Sequence, residues 1–160
     1  MKVRGFADAD LAAVYAIQLK CPQAAQWREE DYFQLARGSG GLILVAETAD
    51  AVAVTGFAAF HRVLDEAEIR NIAVNPRHQR RGIARALLQE GIRALKISGV
   101  RRLFLEVRAS NLPARAFYVS AGFQLLHSRR DYYQNPIEDA LMMACDIAPA
   151  SELINPLEGC

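Results

Sequence analysis

The stretch from Asn71 to Leu95 constrains this chain more than any other. Asn71-Ile72-Ala73-Val74 reads as an apolar strand and Asn75-Pro76 as a turn. Gln79-Arg80-Arg81-Gly82 then forms a donor-rich corner that passes at once into a helix. From Gly82 to Ser98, Ala84, Leu87, Leu88, Gly91, Ile92 and Leu95 recur at helical spacing, while Arg85, Gln89, Arg93 and Lys96 fall on the other face. A helix N-terminus offers unpaired backbone N–H groups and the positive end of the peptide dipole, so such a corner attracts phosphate. Gly82 has no side chain to hold a ligand off the backbone, and small Ala84 extends that close approach into the first turn. An ordinary strand–turn–helix corner with a basic turn reads the same over six residues, so the surrounding sequence has to decide.

After Gly99, a helix stop, Arg102 to Val107 is a short and nearly continuous apolar strand, the kind that lies centrally with both faces covered. Strand, helix and strand in this order imply a right-handed parallel crossover. Upstream, Leu42–Glu47, Val52–Val63 and Ala67–Val74 read as strands joined by turns near Ala49-Asp50 and Leu64-Asp65-Glu66, which implies an antiparallel meander. Lys2–Phe6 reads as a short edge strand. Asp8 reads as the cap of a helix that buries Leu11, Val14, Tyr15 and either Ile17 or Leu19, and Cys21-Pro22 ends it. Gln23–Trp27 is a polar loop, Glu29–Arg37 a second helix, and Gly38 to Gly41 a break. Downstream, Asn111 or Ser110 caps a helix with Pro113 in its first turn and Gly122 at its end. Phe123–Tyr133 and Ala140–Ile147 follow as strands around Gln134-Asn135-Pro136. The fold class is α+β, a mixed sheet of about seven strands flanked by about four helices. Residues 1–147 read as one domain, and 148–160, with Pro149 and Pro156, as a tail without periodicity.

The chain has 160 residues, 19 basic and 18 acidic, for a net charge of +1, which argues against a general nucleic-acid binder. No apolar run approaches the roughly 20 residues a membrane helix needs. Asp8 and Asp10 stand where a signal peptide has its apolar core. Cys21, Cys145 and Cys160 have no metal-ligand or CxxC spacing. The expectation is a soluble, cytoplasmic protein with reduced thiols, no metal, no nucleic-acid partner and no membrane.

Glu106 is the informative charged residue, because it sits near the C-terminal end of an apolar strand. A buried carboxylate costs several kcal/mol unless it is paired or hydrated. Partial burial disfavours the ionised form of a carboxyl and suits it to general-base work. From position alone, a salt bridge to Arg108 or Arg70 explains Glu106 equally well. Tyr118, in the next helix, has a phenol that could protonate a leaving group, although a helix tyrosine is more often packing. Asn111 reads first as a cap.

Gln79-Arg80-Arg81-Gly82-Ile83-Ala84 resembles the Q/R-x-x-G-x-G/A signature of the GNAT N-acetyltransferases. Leu105-Glu106-Val107-Arg108-Ala109-Ser110-Asn111, Ala116-Phe117-Tyr118 and Gly122-Phe123 resemble the ribosomal-protein-alanine N-acetyltransferases, the RimI-type branch of that family. So do Val63-Leu64-Asp65-Glu66-Ala67, Arg129-Arg130-Asp131-Tyr132-Tyr133, Glu138-Asp139-Ala140 and Met143-Ala144. The resemblance is dense from Val63 to Ala144. The first sixty residues match only in layout, and the tail after Ile147 does not match.

The resemblance implies the GNAT acyl-CoA N-acyltransferase fold and acetyl-CoA as co-substrate. It implies Glu106 as proton acceptor, Tyr118 as proton donor in contact with the cofactor, and Asn111 as a cofactor contact. Backbone contacts to acetyl-CoA would come from Ile72, Ala73 and Val74, and its phosphates would be held by Gln79, Arg80, Arg81, Gly82, Ile83 and Ala84. The implied partner is the N-terminus of a ribosomal protein or another peptide, the branch's target being the alanine of small-subunit protein S-eighteen. Trp27 and Tyr132 are candidates to line that peptide, and Trp27 is equally suited to packing the helix pair. Ala84 departs from the glycine many relatives carry, and Arg70 and Arg81 are charges without an assigned role. Two other readings stand beside this one. Glu68 in Glu68-Ile69-x-x-x-Ala73-Val74 is similar to the base of histone-type lysine acetyltransferases, which suggests a lysine or small-molecule acetyltransferase, although a solvated strand residue explains it better. The third reading is a CoA-binding module without catalysis.

Overall fold

The computed structural model describes residues 1–50 and 53–148. The tail from Pro149 onward, with Cys160, and the expected strand start at Val52 lie outside them. Seven strands form one mixed sheet in the order β1-β2-β3-β4-β5-β7-β6. These are β1 (Lys2–Gly5), β2 (Gly41–Glu47), β3 (Val54–Val63), β4 (Glu66–Val74), β5 (Arg102–Arg108), β6 (Gln124–Tyr133) and β7 (Glu138–Asp146). The helices are α1 (Leu11–Leu19), α2 (Glu29–Arg37), α3 (Ile83–Ile97) and α4 (Leu112–Ser120). The expected meander is present as β2, β3 and β4, each antiparallel to the next, with β1 on the edge. β4 and β5, joined through α3, are parallel. Among the described residues no helix is long and apolar enough to cross a membrane.

Two apolar layers cover the sheet. On one face, Leu87, Leu88 and Leu95 of α3 pack with Tyr118 and Phe123 onto Phe60, Ile69, Leu103, Leu105 and Val107. On the other, Val14, Ile17 and Tyr32 from α1 and α2 pack onto Val45, Phe57, Ala59 and Ala73. The α3 stripe is as its periodicity predicts, and Gly91 has a specific reason. A Cβ there would come within 2.3 Å of the buried Phe60 ring, so only glycine lets α3 approach β3 so closely.

Two expectations are corrected, and one open alternative is decided. Asp8 does not cap α1. It lies in a 3-10 turn, Asp8–Asp10, and pairs with Arg37 at 2.8 Å. The backbone N–H of Ala7 donates instead to Asp10 Oδ2 at 2.8 Å, because Asp10 is the residue three positions on. Of the two options for α1, Ile17 is buried while Leu19 is 63% exposed. β5 is central but covered on one face only. Leu103, Leu105 and Val107 are buried, and Phe104, Glu106 and Arg108 alternate with them half-buried. The reason is that the layer under α1 and α2 rests on β2, β3 and β4, leaving this face of β5 open.

The register explains what the open face adjoins. β4 pairs with β5 only through Glu66, Ala67 and Glu68, opposite Arg102, Leu103 and Phe104. Both strands run on, β4 to Val74 and β5 to Arg108, without pairing to each other. At about 3.3 Å per residue, the four further residues of β5 border a slot roughly 13 Å long. Against β3, Phe60 faces Ile69 while Ala59 faces Asn71, so Arg70 is an extra, bulged residue on β4. A bulge bends and twists its strand, and this one lies two residues beyond the last β4–β5 pair.

Candidate active site

The bulge also reverses which side chains of β4 face which layer. Ala67 and Ile69 join the layer under α3, and so do Ile72 and Val74 after the slip, whereas Ala73 turns to the layer under α1 and α2. Buried Asn71 donates through Nδ2 to Ala25 O at 2.9 Å and to Tyr32 Oη at 3.3 Å, and accepts from Ala25 N–H at 3.2 Å. Tyr32 Oη donates to Gln18, whose amide in turn donates to Trp27 O at 2.8 Å. This network pins the loop between α1 and α2 beside the end of β4.

The backbone of β4 has a definite polarity here. Asn75 N–H donates to Thr55 O on β3, so in the alternating ladder Ala73 faces Phe57 with its backbone groups turned to β3. Ile72 and Val74 therefore turn their N–H groups toward the slot. Val74 O on that side accepts from Gln79 Nε2 at 3.1 Å and from Cys21 Sγ at 3.3 Å.

The corner at the end of β4 is a 3-10 turn, Pro76–His78, capped by Asn75 accepting from Arg77 N–H at 3.2 Å. Arg80 at φ +62° and Gly82 at φ +79° then swing the chain through left-handed backbone into α3. The conformation is what requires glycine at position 82, since a Cβ there meets nothing in the protein. Among the described residues, the N–H groups from Arg80 through Arg85 donate to no other group, and the first helical bond is Ala86 N–H to Gly82 O. Ile83 is buried, Ala84 packs at the layer's margin, and Arg81 pairs with Asp50 at 2.9 Å on the surface. The left-handed glycine and the unpaired donors fit a diphosphate.

Among the described residues no cation forms a salt bridge to Glu106. Arg70 pairs with Glu68 at 3.7 Å and Arg108 with Glu138 at 3.0 Å. The partner of Glu106 is Tyr133 at the end of β6, whose hydroxyl donates to Glu106 Oε1 at 2.7 Å. Burial, and then this bond, push the Tyr133 phenol up, so it stays a neutral donor. Sequence reasoning saw Tyr133 only as part of a motif. β6 and β7 bring it to Glu106 from 27 residues away, which no local pattern reveals.

Tyr118 lies in the layer under α3 and α4, edge-on to Phe123 with ring centroids 5.5 Å apart. Burial raises its phenol well above the ordinary tyrosine range, so it is protonated throughout the neutral range. Glu106 and Tyr118 thus occupy opposite faces of the sheet, and the slot between β4 and β5 is the opening that joins those faces. Asn111 caps α4, its Oδ1 accepting from Ala114 N–H at 3.2 Å. Half-buried Trp27 packs on Tyr32 with centroids 5.0 Å apart. Tyr132 is 45% exposed and meets Tyr133 edge-on. Trp27 thus sits against the layer under α1 and α2, and Tyr132 on β6. Among the described residues no group of three His, Cys, Asp or Glu side chains is arranged to hold a metal.

Comparison with known proteins gives this geometry its family. The model of the Acetyltransferase (GNAT) family matches residues 11–123. A ribosomal protein bS18-alanine N-acetyltransferase of Escherichia coli (strain K12) is 41% identical over 141 residues, which is 87% of this chain and 93% of that protein. One of Salmonella typhimurium is 43% identical over the same shares. The crystal structure of the ribosomal-protein-S18-alanine N-acetyltransferase from Escherichia coli superposes with a TM-score of 0.79 at 36% identity, covering 96% of this chain and 98% of that one. The likeness therefore reaches well into the first sixty residues, further than the motifs indicated.

Proposed function

The chain belongs to the GNAT acetyltransferase family, and on that premise we propose that it transfers acetyl from acetyl-CoA to the α-amine of an N-terminal alanine, that of ribosomal protein bS18, in the cytoplasm. Residues 1–147 carry the reaction as one domain. The observation that carries this reading is the end of β4–β5 pairing at Glu68 and Phe104, which opens a slot beside Glu106. The α-amine is mostly protonated near neutral pH, its ordinary value being about 7.7–8.0. Glu106 accepts the proton that must leave, directly or through a water, and the amine becomes a nucleophile. Ile72 and Val74 aim backbone N–H groups at the oxygen where negative charge develops during attack on the thioester. Tyr118 returns a proton to the departing thiolate. Gln79 to Ala84, with the first turn of α3, hold the diphosphate. Asn111 adds a further contact, and Trp27 and Tyr132 border the incoming peptide.

The test is release of free thiol from acetyl-CoA on incubation with an alanine-starting bS18 peptide, with Glu106→Gln and Glu68→Gln run alongside. Turnover that Glu106→Gln abolishes and Glu68→Gln spares is the expected result. The reverse pattern would make Glu68 the base. Absence of turnover with any peptide would overturn the proposal.

A further inference from the structure

A chain of contacts links the two proton-transfer residues through one carboxylate outside the slot. The Tyr133 hydroxyl donates to Glu106 Oε1 at 2.7 Å. The Arg108 guanidinium lies 4.0 Å over the centroid of the Tyr133 ring, close enough to fix the ring by cation–π attraction. Arg108 Nη1 donates to Glu138 Oε1 at 3.0 Å. Glu138 also accepts from the Ser110 hydroxyl at 3.0 Å and from Ser110 N–H at 3.1 Å. Ser110 immediately precedes Asn111, the cap of the helix that carries Tyr118. The side chains of Arg108 and Glu138 are 29% and 15% exposed, so their ion pair is partly shielded, whereas the two Ser110 bonds lie at the surface. The Ser110 hydroxyl first, and then Arg108, hold the Glu138 carboxyl below the usual carboxylate range.

We infer that Tyr133, oriented by Arg108 and Glu138, is a positioning residue that occupies Oε1 of Glu106 and leaves Oε2 as the atom that takes the substrate proton. Glu138 sets the approach of α4, and hence of Tyr118, from the same point. The inference rests on the acetyltransferase reading above. Three features support a positioning role over simple packing. The bond is made to one carboxylate oxygen only. The ring that makes it is fixed from its face by a cation. That cation is itself anchored to the loop that starts the helix bearing the proposed acid. Other charged or titratable groups on this side of Glu106 include Glu68 and Arg70 across the slot and, by register, His127 and Arg129 on β6, with Tyr132 beside Tyr133.

The test is steady-state kinetics of wild type, Tyr133→Phe, Glu138→Gln and the double variant, with alanine-, serine- and methionine-starting peptides as acceptors. Tyr133→Phe is expected to lower kcat on the order of 10-fold by misplacing the base, with KM for acetyl-CoA unchanged. Glu138→Gln should act in the same direction and less than additively with Tyr133→Phe. A Tyr133→Phe enzyme with wild-type kcat, or one that loses kcat and acetyl-CoA KM together, would overturn the inference. If wild type acetylates no acceptor, the function proposed above falls. The link is then read from the ionisation of the Tyr133 phenol, followed by NMR at its ring carbon bearing the hydroxyl, in wild type and Glu106→Gln. A midpoint lower in the variant upholds the link, and an unmoved one overturns it.

Discussion

Asn71→Ala probes the coupling between the sheet and the loop beside the slot. Asn71 is 4% exposed and makes three hydrogen bonds, of 2.9, 3.2 and 3.3 Å. A neutral bond contributes about 1 kcal/mol net, and an orphaned buried group costs about 1–3 kcal/mol. Two of these bonds are long. Ala25 is exposed, so its N–H and C=O regain water when the amide is removed. Tyr32 is fully buried but keeps its bond to Gln18. The loss should therefore fall near 2 kcal/mol, not the 3 or more that three buried bonds would suggest. Trp27, the sole tryptophan, stacks on Tyr32, so its fluorescence reports on this region during urea unfolding. The loop should also loosen in the folded state, raising KM for the peptide several-fold and sparing KM for acetyl-CoA. A destabilisation under about 0.5 kcal/mol, the scale of an ordinary surface change, or an unaltered peptide KM would refute the reasoning.

Three further substitutions test other parts of the argument. Gly91→Ala sets a methyl 2.3 Å from the fully buried Phe60 ring. Overpacking costs about 1–3 kcal/mol against roughly 1 kcal/mol of helix propensity gained, so urea unfolding should show a net loss, and a gain would mean that Phe60 has room to move. Gly82→Ala meets no protein atom but must hold φ at +79°, a cost of about 1–2 kcal/mol; its methyl enters the space assigned to the diphosphate, so calorimetry should show weaker acetyl-CoA binding, and unchanged affinity would count against that assignment. Asp10 is held below the usual carboxylate range by the Arg4 guanidinium at 2.8 Å. A carboxyl whose folded value is depressed contributes stability above its unfolded value, and that contribution disappears as pH falls through the folded one. Asp10→Asn should accordingly cost about 1–2 kcal/mol at pH 7 and progressively less below about pH 4, whereas an equal deficit at both ends of the range would show that the charge is irrelevant.

The elements of this fold were legible where periodicity is strong. The α3 stripe and the meander announce themselves through spacing that local geometry imposes, and α2 was read with its observed bounds. The misreadings have local causes. Asp8 is a good cap residue, but the chain places the carboxylate three positions later, where it can also meet Arg4. The run Arg102 to Val107 looks apolar on both faces only because Phe104 sits among aliphatic residues, and which face is covered depends on helices far away in sequence. The polar partners at the site were not legible at all. Glu106 had two arginines nearby in sequence or on the next strand, yet each found another acid, and the tyrosine that reaches Glu106 comes from a different hairpin.

The slot itself did leave a trace. Along β4 the residues that join the α3 layer are Ala67 and Ile69, then Ile72 and Val74, a shift from odd to even positions. A regular strand keeps one parity on one face, so that shift requires an extra residue near position 70. The charge at Arg70 fits a residue that belongs to neither layer and is left exposed. Its position is consequential. Placed one turn of the pleat beyond the last β4–β5 pair, the bulge turns β4 away while β5 stays paired along its length to β7. The strand that leaves carries free N–H groups at Ile72 and Val74 toward the opening, and the strand that stays carries Glu106. A single surplus residue thus supplies both the slot and the backbone donors that line it, while the carboxylate opposite remains fixed by the hairpin of β6 and β7.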